Sequence, residues 1–196
     1  MLTEDPDVFS RPVVFAVHPN YIIDAAQAAA SKWAKNPEKH GPNRMKILTT
    51  YVNRFKRFID GQLSNGATII ITTMGDPIQL DNWYDEKAHW EKTDLIEMEK
   101  EQAKVHNIHT ELMNYISEIS TSSNVFVMPE TSAGDACEQG KLDHVLDDTE
   151  EVLIIGGNLS GCLKNTVKNI SKRPNGPSIK VVKELTFDDN PEFWNR

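Results

Sequence analysis

The sequence predicts an α/β domain: a three-layer sandwich with a mostly parallel central sheet, formed by residues 1–196 as one unit. Its apolar runs are continuous rather than alternating, as strands covered on both faces require. Amphipathic helical stretches separate those runs, which is the grammar of crossover connections in a parallel sheet. Finally, 196 residues at 39% hydrophobic and 26% charged suit a single domain with a sizeable core.

The first strand is Pro12 to Val17, closed by His18-Pro19-Asn20. Tyr21 to Lys35 is alanine-rich and reads as helix; Asn36 to Asn43, with Pro37, Gly41 and Pro42, reads as loop. From Met45 to Leu63, Leu48, Tyr51, Val52, Phe55, Phe58, Ile59 and Leu63 recur at helical spacing. Asn65-Gly66 stops that helix, and Ala67 to Thr73 follows as a β-branched buried strand. Gly75 to Asp85 is a polar loop, and the helix after it is clearest from Val105 to Ile119. Val125 to Met128 is a short strand ended by Pro129, and Leu142 to Leu146 a short helix. Val152 to Ile155 is a buried strand running into Gly156-Gly157, and Cys162 to Ser171 is a helix. Pro174, Gly176 and Pro177 break that helix before a last strand, Ile179 to Val182. The tail, Phe187 to Arg196, is polar apart from Phe193 and Trp194.

Composition narrows the function classes. A formal net charge of -8 argues against nonspecific binding of nucleic acid or an anionic membrane, although a local basic patch survives such a balance. No apolar run reaches the length of a membrane helix, and the acidic start, Met1 to Asp7, lacks the pattern of a signal peptide. Cys137 and Cys162 give no disulfide framework and no CxxC pair, so a reduced, cytoplasmic setting is expected. No cofactor is expected. His106 and His109 with Glu111 nearby form too weak a metal pattern, and Asp147-Asp148 and Asp188-Asp189 read as turn residues. Arg54, Lys56 and Arg57, interleaved with Phe55 and Phe58, read as the wet face of a helix.

Chemistry concentrates around Cys162. It opens a helix after a strand and a turn rich in glycine, where unpaired N–H groups and the helix dipole favour a thiolate and an oxyanion. The alternative is a small buried hydrophobe, as free cysteines commonly are. The stretch Val152 to Val167, VLIIGGNLSGCLKNTV, resembles the signature of the isochorismatase-like cysteine hydrolases at Gly156, Cys162, Leu163 and Thr166.

That resemblance implies a nucleophilic cysteine, an Asp ending the first strand, a Lys after the middle strand and a cis peptide at Gly157-Asn158. It also implies small amides or related substrates, and assembly into dimers or tetramers. Val17 stands at the Asp position and Met128 at the Lys position. His18 and Glu130 are the candidate replacements, His18 as base for Cys162 and Glu130 as its orienting carboxylate. Asn158, Gly161, Asp76, Trp83 and Tyr84 are the candidate substrate contacts, with Trp90 beside the two aromatics. Two functions stay open: a cysteine hydrolase of small C–N or C–O bonds with a non-standard triad, and an inactive relative that binds a small molecule or assembles.

Overall fold

β1 (Val13–Val17) lies at the middle of the sheet with all five residues buried, as its unbroken apolar run predicts. The computed structural model describes residues 12–26, 44–75, 92–129, 142–147 and 149–188. Among these, β2 (Thr68–Thr72), β3 (Val125–Met128), β4 (Glu151–Gly156) and β5 (Ser178–Thr186) join β1 in one sheet. Its order is β3-β2-β1-β4-β5, and every neighbouring pair is parallel.

Parallel neighbours need crossovers rather than hairpins. Those described are α1 (Arg44–Ser64), α2 (Lys92–Ile119), α3 (Asp143–Leu146) and α4 (Cys162–Ser171), with residues 22–26 also helical. Alternate residues of β1 serve opposite faces. Val14 and Ala16 pack with Leu48, Val52, Phe55 and Ile59 of α1 and with Leu112 and Ile116 of α2. Val13, Phe15 and Val17 pack with Leu142 and Leu146 at α3 and with Leu163 and Ile170 of α4. The result is three layers, with the first helices on one face and the last two on the other.

The periodic stripe of the first long helix is its buried face: Leu48, Tyr51, Val52, Phe55 and Ile59 are all core residues. Gly66 ends it with φ +76, and the amides of Gly66 and Ala67 donate back to the carbonyls of Leu63 and Gln62 (2.9 and 3.0 Å). α1 is tied to α2 by Tyr115, whose hydroxyl donates to Asp60 Oδ1 (2.7 Å), and by Lys56 Nζ donating to Glu111 (3.0 Å).

Two boundaries differ from the sequence reading. The last strand runs from Ser178 to Thr186, because its polar half still pairs with β4 through an irregular register. Phe187, read as the start of a polar tail, is fully buried against Tyr21 and Tyr51. Most of the stretch read as helix from Tyr21 to Lys35, and the loop after it, lie outside the described residues.

The strand order reverses between β1 and β4. In doubly wound sheets, that switch point at the carboxyl ends of the strands is where ligands sit. Here it brings the segment after Val17 beside the turn after Gly156.

Gly156 is the residue this junction tolerates least. Its φ is +97, and a Cβ there would stand 2.0 Å from the Val17 carbonyl oxygen. We expect Gly156→Ala to cost more than about 3 kcal/mol in urea unfolding. Gly61→Ala, in α1 with nothing within 4 Å of a new Cβ, is expected to stabilise by about 0.5–1 kcal/mol.

Candidate functional site

Three segments build the carboxyl edge near the switch point: 18–20 after β1, 73–75 after β2, and 157–161 before α4. The glycines of the last have packing reasons. Gly156 lets β4 close on β1, while a Cβ at Gly157 would lie 2.5 Å from the Phe187 ring. Gly157 N donates to Val17 O (2.9 Å), and Leu159 N to Phe187 O (3.0 Å). The Gly157–Asn158 peptide bond is cis, at the position named from the resemblance.

The turn is closed by its own hydrogen bonds. Asn158 O accepts from Gly161 N (3.1 Å) and Leu163 N (3.0 Å), so two amides near the start of α4 already have an acceptor. Asn158 Oδ1 accepts from Ser160 N and Oγ (3.2 and 3.0 Å), and Ser160 N also donates to Asp188 Oδ2 (3.0 Å). The residues read as substrate contacts here, Asn158 and Gly161, therefore first hold the turn in shape.

Cys162 is the first residue of α4, as the sequence predicted, and its thiol is not in a disulfide. It packs on the apolar cluster that contains Val13, Phe15, Val17 and Leu163, with Met128 and Leu159 against the same cluster. Burial pushes its thiol above the usual cysteine range, and the residue's own amide N–H opposes this with a smaller effect. The helix start was expected to lower this pKa, but loss of water around the sulfur outweighs that stabilisation of the anion.

Val17 is fully buried and Met128 half-buried, both against the cluster that receives Cys162. The positions where the resembling signature carries an acid and a base are thus filled with hydrocarbon and thioether. Glu130, the candidate orienting carboxylate, lies outside the described residues, as do Asp76, Trp83, Tyr84, Trp90 and Cys137.

His18 follows β1 with φ 44 and ψ 55, a left-handed conformation uncommon for a residue with a side chain. Its amide donates to Thr72 O (3.0 Å), with Thr72 Oγ1 at 3.4 Å. Only 3% of its surface is exposed, and desolvation lowers its pKa to about 4. The imidazole is neutral at pH 7, and a base that weak removes a thiol proton poorly.

Sequence reasoning missed its polar neighbours. Asn20 Nδ2 donates to Met74 O (3.0 Å) and Asn20 Oδ1 accepts from Met74 N (3.2 Å), latching the first segment to the second. Thr72 and Thr73 are buried beside it, and Thr73 N donates to Met128 O (3.2 Å). Among the described residues, seven polar ones are buried, and four of them, His18, Asn20, Thr72 and Thr73, gather at this edge. The available signal was a Thr-Thr pair ending an otherwise apolar strand, and an Asn directly after His-Pro. His106 is exposed and His109 buried, and among the described residues no group of three metal-ligating side chains occurs.

Comparison with protein-family models, curated proteins and solved structures finds no match for the chain. The chemistry of the edge rests on these residues alone.

A buried neutral histidine links stability to pH. Its folded pKa of about 4 lies below the ordinary 6.5, so its contribution is complete above pH 6.5 and is lost as pH falls toward 4. The loss is up to about 3 kcal/mol. Asp24, raised by burial to about 6, acts in the opposite sense, since its contribution is lost as pH rises through 6. Comparing the wild type with His18→Asn, which tolerates the left-handed backbone, cancels Asp24. The wild type should lose up to about 3 kcal/mol more than the variant between pH 7 and 4 in urea unfolding. Parallel pH profiles would contradict the burial of a neutral ring.

Proposed function

We propose that this chain is an isochorismatase-fold protein that binds a small uncharged molecule of the amide type and does not hydrolyse it through Cys162. One observation carries this reading: Cys162, Val17 and Met128 share a single apolar cluster, while the buried polar groups of the edge sit beside them as neutral donors and acceptors. An edge of that kind suits a neutral polar ligand, because the buried His18, Asn20, Thr72 and Thr73 offer a charged one no counter-charge for its lost hydration. Thiol hydrolysis needs a base at the sulfur, and burial makes His18, the candidate base, a weak one. The unpaired thiol of Cys162 fits a reducing compartment such as the cytoplasm. Assembly into a homo-oligomer belongs to the same reading, and light scattering tests it.

The hydrolase reading draws its support from the position of Cys162 at the first residue of α4 after the glycine turn. The two are separated by following nicotinamide and benzamide with the protein by NMR and by ammonia release. Binding is expected to shift the His18 ring signals, survive Cys162→Ala and release no ammonia above background. Ammonia release abolished by Cys162→Ala would establish the hydrolase instead.

A further inference from the structure

The acidic chain contains one segment with the opposite character. Between Glu151 and Glu184 there is no Asp or Glu, while Lys164, Lys168, Lys172, Arg173, Lys180 and Lys183 all fall there. All 29 acidic side chains lie outside it. The fold gathers three of these lysines on one surface. α4 turns Leu163, Val167 and Ile170 onto the sheet, leaving Lys164 and Lys168, with Lys172 as the residue that caps its end, exposed at i, i+4 and i+8. The neighbouring edge strand β5 packs Ile179 and Val181 in the same cluster as α4, and the exposed Lys180 between them turns to the other face of the sheet. Among the described residues no ion pair engages the three lysines of the stripe; Arg173 alone is held, by Asp143 and Asp147.

Helix stability does not account for the stripe. Like charges at i and i+4 are destabilising by about 0.2–0.5 kcal/mol per pair. Lys164 also stands in the first turn, where the positive end of the helix dipole disfavours a cation, and the first turn carries no acidic residue to offset it. Only Lys168 and Lys172, near the other end, complement the dipole. A row of cations kept against local stability, on a face without large exposed apolar groups, has the features of a surface for a linear polyanion. Among the described residues, the large exposed hydrophobics that would anchor a membrane surface, Met74 and Phe126, belong to the segment after β2 and to β3.

We propose that the solvent face of α4 binds the phosphate backbone of nucleic acid. The helix rise places successive ammonium groups about 6 Å apart along the axis, against one charge per about 3.4 Å along each strand of a duplex. Each lysine thus meets roughly every second phosphate of one strand, with no base contact and hence no sequence preference. The net charge of -8 does not forbid this, because at about 0.1 M salt the screening length is about 10 Å and distant carboxylates contribute little. This proposal is independent of the ligand-binding reading of the sheet edge.

The test is fluorescence anisotropy with labelled 20-base-pair duplexes of two unrelated sequences, across about 50–200 mM salt. Both duplexes should bind alike, with a slope of log K against log salt near about -3 for three contacts. The K164Q/K168Q/K172Q variant should bind at least about tenfold more weakly at the lowest salt and melt at or above the wild-type temperature, which shows that it folds. Three results overturn the proposal: no binding at the lowest salt, equal binding by the folded variant, or binding to phosphatidylserine vesicles without binding to either duplex.

Discussion

The arrangement depends on the closeness of two backbones, those of β1 and β4. Their register sets Val17 opposite Gly156, and the Val17 carbonyl occupies the space that a side chain on Gly156 would need. Because the sheet reverses its order at this pair, the segments leaving both strands emerge side by side at one edge. Phe187, arriving from the end of β5, then covers Gly157 so closely that no larger residue fits beneath its ring. The turn before α4 is held by β1 on one side and by the chain after β5 on the other. The direction in which Cys162 enters its helix follows from those two contacts.

The same closeness decides what kind of thiol results. A helix start offers a partial positive charge and spare N–H groups, and both favour an anion. Cys162 also packs on the apolar cluster built around Val13, Phe15 and Val17 of β1, with Met128 of β3 against the same cluster. Removing water from a thiolate costs more than the helix end returns, so the protonated form dominates at neutral pH. The strained, buried His18 beside this junction is desolvated as well and stays neutral. Both groups are thus in their uncharged states at one edge. That suits hydrogen bonding to a neutral ligand better than proton transfer.

Much of this was legible in the residues. Unbroken apolar runs marked four strands near their observed positions, and the stripe from Leu48 to Ile59 marked the buried face of α1. The polar half of β5 was not legible: Lys183 and Glu184 sit on an edge strand whose pairing is set by β4, which local composition does not record. Phe187 looked like tail because its partners, Tyr21, Tyr51 and Gly157, are distant in sequence. At the site, the start of α4 at Cys162 and the unusual position of His18 were legible, as was the apolar character of Val17 and Met128. The thiol's environment was not, since it depends on which face of β1 α4 covers. The latch between Asn20 and Met74 also spans two strands and leaves no mark within either segment.

The central claim, that Cys162 is a desolvated and unactivated thiol, is tested most directly by iodoacetamide alkylation followed across pH. Mass spectrometry of the Cys162 peptide separates it from Cys137, and His18→Ala is run in parallel. The claim predicts slow alkylation at pH 7, a reactivity midpoint above that of an unperturbed cysteine, and the same profile in the His18 variant. Rapid alkylation at pH 7, with a midpoint at or below neutrality that His18→Ala abolishes, would contradict it.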